Sequence, residues 1–537
     1  MIALGDRVDS RVEGGVLADE RVARSCVLAT LILALAVNLP LLMSNTIFGG
    51  DDWAWVWVYR SQGPGAILRY MWEAAHPAYG IFLDLCFLLG GDRAGQVGHV
   101  LAIGSLLASG WLIWRIFRDA RFGPSVAATF AVLYLSSPFV ADLHGSLAHS
   151  FYEPVTFFYL LSIWLSLRRG SATLAGALLA MIAGLSIETL VALEPLRWWL
   201  LYRERGNWRE AARAIAPFVA LAFAAAAVRV FWLTPEGIYH GYNKIAEPGE
   251  RDFARLAKQS LRFFLDVREP AAFAAALWRY DNPLLGFVLL IGALFIGRTT
   301  WRNNEVDAAE LRGLFIVGAI VLICGTVPYI AIDRFPSRFD VNSRYAVASQ
   351  FGALLLAVGA LHLVRSAPVR ALVLASVVFV FMANQLQLGK WLLYEVPIVA
   401  DFRTQVGAYL AHADDQVLLV DFVPPATDFL FNRRVCLSSY DTNVSLELAG
   451  LRRHSFVFDR ACGQNIYANP AGCLLTGYDP AEPCPTERRM ATYRLNSGLV
   501  PFTRFGIAEV LRRAFGSERT PMGMLTVTPA VGQSGDR

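Results

Sequence analysis

The chain has 537 residues, of which 55% are hydrophobic and only 17% are charged, and its mean hydropathy is +0.43. A water-soluble fold cannot bury so large an apolar fraction, so lipid must surround most of the chain. The net charge of +4 is small and no basic block stands out, which argues against nucleic acid as a partner. This composition is typical of a polytopic α-helical membrane protein.

The N-terminal segment 1–25 carries charges of both signs and leads into an apolar run without a small-residue cleavage site. This pattern predicts a cytoplasmic tail followed by an uncleaved first span, not a signal peptide. The apolar runs that follow predict a transmembrane domain over 26–393.

Most of these runs approach the roughly 20 residues needed to cross a bilayer. Arginines flank both ends of the run 172–203, so we interpret it as two short helices that turn near residues 186–188. The shorter run 78–90 is predicted to be a re-entrant or surface-lying helix, which gives about eleven spans in total. The runs lie at about 26–46, 97–118, 122–143, 151–168, 172–203, 211–233, 283–298, 312–332, 345–364 and 371–392.

Arginines gather in alternate turns between these runs, and short cytoplasmic loops are enriched in them. The pattern predicts a bacterial inner-membrane protein with its N-terminus in the cytoplasm and its C-terminus in the periplasm. The arginine-bearing turns are 115–121, 168–169, 203–213, 298–312 and 365–370, and the predicted external loops are 47–96, 144–150, 234–282 and 333–344.

Segment 394–537 has a mixed pattern with many prolines, which predicts a separate periplasmic α/β domain. Residues 416–423 predict a buried strand, and residues 504–515 predict an amphipathic helix. A cluster of four cysteines predicts two disulfides in an oxidising compartment, with three pairings open. Zinc is the alternative, and the lack of a Cys-x-x-Cys pair counts against it. The four are Cys436, Cys462, Cys473 and Cys484.

An acidic pair, Asp51 and Asp52, lies just past the first span. Adjacent carboxylates at a membrane surface are costly unless they are solvated, paired or used in chemistry. The alternative to a catalytic role is that Asp52 caps a helix beginning at Trp53, where its side chain accepts backbone N–H bonds. Both interpretations can hold, since one aspartate can cap while the other reacts.

Short motifs accompany this pair along the chain. They are His76-Pro77-Ala78-Tyr79-Gly80, Phe87-Leu88-Leu89-Gly90, Trp114-Arg115-Ile116-Phe117-Arg118-Asp119, Glu153-Pro154 and Ser343-Arg344-Tyr345. In this layout, over about 26–393, the chain resembles the GT-C class of integral-membrane glycosyltransferases, which includes protein mannosyltransferases and aminoarabinose transferases. His76 departs from the lysine seen in some of these relatives.

The resemblance implies transfer of a sugar from a polyprenyl-phosphate-linked donor to a cell-envelope glycan, lipid or protein, with inversion. In such a transfer a carboxylate takes the proton of the acceptor hydroxyl as its oxygen attacks the anomeric carbon. Asp51 is the predicted base, and Asp52 is the second choice.

The leaving polyprenyl phosphate develops negative charge, which a guanidinium can stabilise through two parallel hydrogen bonds. Arg344 is the predicted phosphate ligand, ahead of Arg338 and Arg334 in the same loop, with Tyr345 beside it. The alternative for these arginines is interfacial anchoring, since long cationic side chains commonly extend to the membrane surface.

Further candidates for the site are His76, His149, Glu153 and Glu188. His144 and His149 ahead of Glu153 make a divalent metal conceivable, but His-x4-His is not a standard ligand spacing, and no cofactor or metal is firmly predicted. Glu188 lies at the predicted hairpin tip, where a carboxylate is either functional or in contact with interfacial water.

The sequence leaves other functions open. A transporter or flippase of lipid-linked saccharides predicts inverted repeats and midplane charges, but no repeat is apparent and the charges concentrate in the predicted loops. A polysaccharide polymerase would place its key arginines in two late loops and would not need the acidic pair. A non-catalytic scaffold leaves that pair unexplained.

Overall fold

The predicted apolar runs form helices in the structure, a computed structural model. The structure describes residues 5–43, 49–168, 170–233, 235, 253–280, 283–300, 306–337 and 341–412, together with the strands named below. The helices are α1 (Gly5–Met43), α2 (Gly49–Gln62), α3 (Ala66–Glu73), α4 (Pro77–Gly90), α5 (Ala94–Asp119), α6 (Pro124–Ser136), α7 (Tyr152–Ser166), α8 (Ser171–Ser186), α9 (Glu194–Arg205), α10 (Trp208–Phe231), α11 (Phe253–Leu265), α12 (Arg268–Tyr280), α13 (Pro283–Gly297), α14 (Ala308–Ala331), α15 (Ser349–Leu363) and α16 (Ala367–Leu410).

Local sequence signals set several helix ends. Pro77 and Pro124 open α4 and α6, where a missing N–H costs nothing. Asn207 and Asp307 cap α10 and α14 by accepting backbone N–H bonds, and Gly206 ends α9 in the left-handed region at φ 68°. The run 172–203 is two helices, as its flanking arginines predict.

The protein is a multi-pass membrane protein. Among the described residues, the helices long and apolar enough to cross a membrane are Asp19–Met43, Pro77–Asp119, Pro283–Thr300, Ala308–Ala331 and Ala367–Lys390, and shorter apolar helices are Pro124–Ser136, Ser171–Ser186 and Ser349–Leu363. The total of about eleven spans stays a prediction. So does the surface or re-entrant placement of α4, which a turn at Gly91 separates from α5.

Two helices run past the domain borders that the sequence predicts. α1 begins at Gly5, so most of the predicted 1–25 tail is helical, and α16 continues to Leu410 across the predicted border at 393. A helix that is already formed propagates at low cost into polar sequence, so the end of an apolar run does not end the helix.

The predicted external loop 234–282 contains two helices, α11 and α12. On α11 the buried side chains Leu256 and Phe263 recur at helical spacing, while Leu261 and Leu265 are exposed on another face. A helix with both a buried and an exposed apolar face suits the membrane surface.

Small residues let α14 and α15 pack closely. A Cβ on Gly352 would lie 2.3 Å from the Leu322 backbone nitrogen, and one on Gly325 would lie 2.7 Å from the Ser349 nitrogen. Such contact between backbones is typical of helix pairs in membranes. It fixes both ends of the segment that joins the two helices and carries Arg344.

Ion pairs join several turns at one end of the bundle, which we call the arginine-rich end. The pairs are Arg118–Glu20 at 2.6 Å, Arg168–Asp119 at 2.8 Å and Arg203–Glu310 at 3.1 Å. Four of the turns that the arginine pattern predicts to share one side of the membrane are therefore in contact, 115–121 with 168–169 and 203–213 with 298–312. The opposite ends of α1, α6, α7 and α14 meet at what we call the site end.

The C-terminal segment contains a four-stranded sheet of order β2-β1-β5-β6. β1 is parallel to β2 and β5, and β6 is antiparallel to β5. The strands are β1 (Val417–Val423), β2 (Phe456–Asp459), β3 (Tyr467–Ala468), β4 (Leu474–Leu475), β5 (Arg488–Leu495) and β6 (Gly523–Val527), with β3 and β4 forming a separate pair. β1 lies where the sequence predicts a strand. The predicted helix 504–515 and the four clustered cysteines lie outside the described residues.

Candidate active site

Segment 141–151, which joins α6 to α7, is held against α5 at the site end. His99 of α5 lies between the carbonyl oxygens of Leu41 and Gly145, at 3.1 and 3.3 Å. Next to it, Gly98 leaves room for the segment, because a Cβ there would lie 2.8 Å from Ser150 Oγ. The end of α1, the start of α5 and this segment are thus one packed unit.

Asp52 anchors the same segment from α2. Its buried carboxylate accepts hydrogen bonds from Ser146 Oγ at 2.9 Å, the Leu147 N–H at 2.9 Å and the Ala148 N–H at 2.7 Å. The prediction that Asp52 caps a helix beginning at Trp53 is wrong, because α2 begins at Gly49 and Asp52 lies in its first turn. The carboxylate instead satisfies N–H groups ahead of α7, nearly a hundred residues along the chain.

Ser146 and His149 connect Asp52 to Arg344. Ser146 Oγ lies 2.8 Å from His149 Nδ1, and Arg344 Nη1 lies 3.1 Å from His149 Nε2. An arginine can only donate, so His149 accepts through Nε2 and carries its proton on Nδ1, which donates to Ser146. The His149 ring is buried in the segment before α7, and this burial lowers its pKa. The positive charge of Arg344 lowers it further, to about 3. The imidazole is therefore neutral.

The contacts continue from Arg344 to the tip between α8 and α9. Arg344 Nη2 donates to Tyr345 Oη at 3.2 Å, and the Tyr345 ring lies 4.6 Å from the ring of Tyr329 on α14. Tyr329 Oη is 3.0 Å from Thr189 Oγ1. The exposed residue Glu188 precedes Thr189 at the start of a 3₁₀ helix, so the predicted hairpin tip does reach this end of the bundle.

A second buried polar cluster surrounds Glu153. His144 Nε2 lies 3.2 Å from Glu153 Oε1, and the Tyr134 hydroxyl donates to Glu153 Oε2 at 3.1 Å. All three side chains are buried. Across the described part of the chain, no three His, Cys, Asp or Glu side chains are grouped so that they could hold a metal ion.

Two further predicted residues, His76 and Arg334, lie beside elements that pack around this centre. His76 precedes α4, whose Tyr79 ring is 5.4 Å from the ring of Phe151. Arg334 is exposed at the turn after α14, where its backbone N–H donates to the Tyr329 carbonyl. Asp51 lies in the first turn of α2, but its side chain and the whole of Arg338 lie outside the described residues.

The structure thus brings Asp52, His149, Arg344 and Tyr345 together. Sequence reasoning missed Ser146, Tyr329 and Thr189, which complete the contacts. A single serine, threonine or tyrosine in a membrane protein carries no distinguishing pattern. The available signal was indirect, since each of these residues lies within five positions of a charged or histidine residue already singled out or at the end of an apolar run.

No protein-family model and no curated protein matches the sequence. Solved structures of ArnT from Cupriavidus metallidurans do match, one in the apo state and one bound to undecaprenyl phosphate. Each is 15% identical with a TM-score of 0.33; the first match covers 89% of this chain and 94% of that chain, the second 88% and 93%. ArnT is an aminoarabinose transferase, a GT-C enzyme. The match is to the class that the sequence motifs resemble. At a TM-score this low, this chain's own residues are the basis for its function.

Proposed function

We propose that this protein is a glycosyltransferase that moves a sugar from a polyprenyl-phosphate carrier to a cell-envelope glycan, lipid or protein. The observation that carries the proposal is the geometry of the site end. A partly buried arginine, Arg344, is oriented there by His149 and Tyr345 and is linked through His149 and Ser146 to Asp52, the second residue of the acidic pair in α2. A fixed cation and carboxylates at one end of a membrane bundle suit an anionic lipid donor and a hydroxyl acceptor.

Arg344 is the proposed ligand of the donor phosphate. Partial burial strengthens its attraction for an anion, because the surrounding dielectric is lower than that of water. As the bond from the anomeric carbon to the phosphate oxygen breaks, that oxygen keeps the electron pair, and the guanidinium stabilises the growing charge. Tyr345 is proposed to line the same pocket, while Arg338 and Arg334, of which Arg334 is exposed, are secondary candidates.

Asp51 is the proposed general base. The acceptor hydroxyl oxygen forms a bond to the anomeric carbon from the face opposite the leaving phosphate, its proton passes to the carboxylate, and the configuration inverts. Three hydrogen bonds from segment 141–151 engage the Asp52 carboxylate. A carboxylate engaged in this way is better suited to hold the loop than to take a proton, which favours its neighbour as the base.

His76, Glu153 and Glu188 are proposed to act around this centre. Glu188 is exposed beside Thr189, where it can meet an acceptor, and His76 lies at the start of a helix that packs on segment 141–151. Glu153 is buried against His144 and Tyr134, which suits the support of that segment.

The site end is proposed to face the periplasm of a bacterial inner membrane, with residues 394–537 as a domain on the same side. Alkaline phosphatase fused after Gly389 should then be active, and green fluorescent protein fused there should be dark. Two disulfides are proposed among Cys436, Cys462, Cys473 and Cys484. An alkylating reagent should therefore modify these cysteines only after reduction. The reverse fusion pattern, or free thiols in protein from its native membrane, would contradict these placements.

The test of function is transfer from synthetic polyprenyl-phosphate sugars to extracted cell-envelope acceptor by the full-length protein in lipid nanodiscs. Label should leave the carrier and appear on the acceptor with the wild type, and Asp51→Asn should stop the transfer. A protein that moves the labelled lipid between leaflets of a proteoliposome without cleaving it is a flippase, and that outcome overturns the proposal.

A further inference from the structure

The hydrogen bonds between Asp52 and Arg344 all run in one direction. Arg344 donates to His149 Nε2, His149 Nδ1–H donates to Ser146 Oγ, and the Ser146 hydroxyl donates to Asp52 Oδ1. The backbone N–H of His149 also donates to Ser146 Oγ at 3.2 Å. Each donor therefore has an acceptor, and no proton needs to be shared or moved.

Ser146 and His149, in the middle of this series of hydrogen bonds, are neutral and buried. Ser146 and His149 are 7% and 4% exposed, and Asp52 is fully buried. A carboxylate placed directly on a guanidinium would orient it but also cancel much of its charge, as an ion pair does. A neutral imidazole orients the guanidinium through a directional hydrogen bond and adds no charge of its own.

Asp52, at one end of the series of hydrogen bonds, is held in a fixed position. Asp52 takes two backbone N–H bonds from Leu147 and Ala148 in addition to the serine hydroxyl, so the carboxylate and segment 141–151 fix each other. On the far side, the His149 ring lies parallel to that of Tyr152, at 6.3 Å and an interplanar angle of 10°. The imidazole is thus held by both its ring nitrogens and a neighbouring ring.

We propose that Ser146 and His149 are positioning residues, which transmit the fixed position of Asp52 to the Arg344 guanidinium and hold it in place for the donor phosphate. The inference rests on the proposed function, since it assigns Arg344 to the phosphate. Neither residue needs to touch the reacting atoms. Their contribution is that Arg344 is already oriented before the donor arrives, which reduces the entropy lost on binding.

The test measures the phosphate-dependent part of binding with two probes, undecaprenyl phosphate and undecaprenol. The full-length protein in nanodiscs is titrated with each lipid. The dissociation constant for undecaprenol divided by that for undecaprenyl phosphate measures the contribution of the phosphate apart from that of the lipid tail. Arg344→Ala should reduce that ratio by about 10- to 100-fold, the range expected for charge-assisted hydrogen bonds. His149→Leu should reduce it by roughly 3- to 10-fold, as expected for a lost hydrogen bond.

The conservative variant separates positioning from packing. In His149→Gln the amide oxygen can still accept from Arg344, so the ratio should recover to within about 3-fold of the wild type. Ser146→Ala should weaken phosphate binding less than His149→Leu does, because it removes the support of the imidazole and not the acceptor itself. In each variant KM for a polyprenyl-phosphate sugar should rise more than kcat falls.

Matched substitutions elsewhere control for folding. His362→Leu makes the same replacement in α15 near the arginine-rich end, and Ser150→Ala removes a buried hydroxyl whose bond is local, to the Leu147 carbonyl at 2.7 Å. Both should keep the wild-type ratio and elute as folded protein.

The outcomes distinguish failure of the proposed function from failure of the positioning role. If Arg344→Ala keeps the wild-type ratio, Arg344 does not bind the phosphate and the proposed function fails at that residue. If Arg344→Ala removes the preference for phosphate while His149→Leu leaves it intact, the proposed function stands and the positioning role is wrong. If His149→Gln is as impaired as His149→Leu, the ring acts through packing, and the positioning role is again wrong.

Discussion

The two ends of the helix bundle handle charge in different ways. At the arginine-rich end, opposite charges meet directly, as in the pair of Arg168 and Asp119 at 2.8 Å with side chains 46% and 24% exposed. At the site end, Asp52 and Arg344 are joined through Ser146 and His149, which are neutral. Direct pairs tie neighbouring turns together, whereas at the site end two neutral side chains connect the carboxylate to the guanidinium and orient it.

The difference also concerns what each end contributes to stability. A partly exposed ion pair gains little, about 0–1 kcal/mol, because water screens it and long side chains lose freedom. Asp52 is buried, and its carboxylate satisfies three donors that would otherwise lack partners. Removal of one acceptor from such a group leaves a buried donor unsatisfied, which costs about 1–3 kcal/mol. The site end should therefore be the more sensitive to conservative substitutions.

The largest expected effect is on the acidic pair. Asp51→Asn keeps shape but cannot accept the acceptor's proton, so transfer should fall by about 100- to 10,000-fold while donor binding survives. Sugar transfer and undecaprenyl phosphate binding, measured side by side, check this. Full activity in both Asp51→Asn and Asp52→Asn would leave no base at the site end and favour the transporter or polymerase interpretation.

A smaller effect should distinguish the arginines of the two ends. Arg344→Ala should raise the dissociation constant for undecaprenyl phosphate by about 10- to 100-fold, because a charge-assisted contact is lost. Arg344→Lys should recover only part of this, since a point charge lacks the planar fork. Arg168→Ala, which breaks a partly exposed pair, should change binding by less than about 3-fold. Equal effects at both arginines would indicate a general loss of positive charge instead of a specific site.

Asp52→Asn should act mainly on stability. One carboxylate oxygen becomes an amide nitrogen, which cannot accept, so at least one of its three donors loses its partner and the protein should be destabilised by about 1–3 kcal/mol. Asp119→Asn is the control at the arginine-rich end, where the loss should stay below about 1 kcal/mol. Thermal unfolding of both variants in the same detergent compares them. A silent Asp52→Asn would mean that the contacts with segment 141–151 do not hold it.

The sequence predicts the helices because hydropathy is a property of each residue added over a run. It fails where a helix extends into polar sequence, as at Gly5 and Leu410, or lies within a loop, as in Phe253–Leu265. In these places periodicity and helix propagation decide the structure, and mean hydropathy does not report either.

The sequence also identifies Asp52, His149 and Arg344 as candidates, since charged and imidazole groups beside apolar runs are few. It does not predict their contacts. Arg344 and His149 are in contact although 195 positions separate them in the sequence, and Ser146 and Asp52 are in contact at a separation of 94. Those meetings depend on which helices pack together, for example the close contact of α14 and α15 at Gly352, and no local pattern in a single sequence carries that information.

The smallest expected effect is a pH response that should be absent at the site end. An ordinary histidine titrates near 6.5, but with its pKa lowered to about 3, His149 should stay neutral in the folded protein and cause no step in undecaprenyl phosphate binding between pH 5 and 8. Among the described residues, Arg344 and Ser146 bond to the ring nitrogens, and Tyr152 lies parallel to the ring. Stability behaves differently, because below about pH 6.5 only the unfolded chain takes up the proton, so the contribution of His149 to stability falls as the pH falls towards 3.

A comparison of the wild type with His149→Gln cancels the titration of the lipid phosphate. The ratio of their dissociation constants for undecaprenyl phosphate should be flat from pH 5 to 8, and their difference in unfolding temperature should shrink below pH 6.5. A step in the binding ratio near pH 6.5 would show that the folded protein protonates His149, which is incompatible with its accepting a hydrogen bond from Arg344.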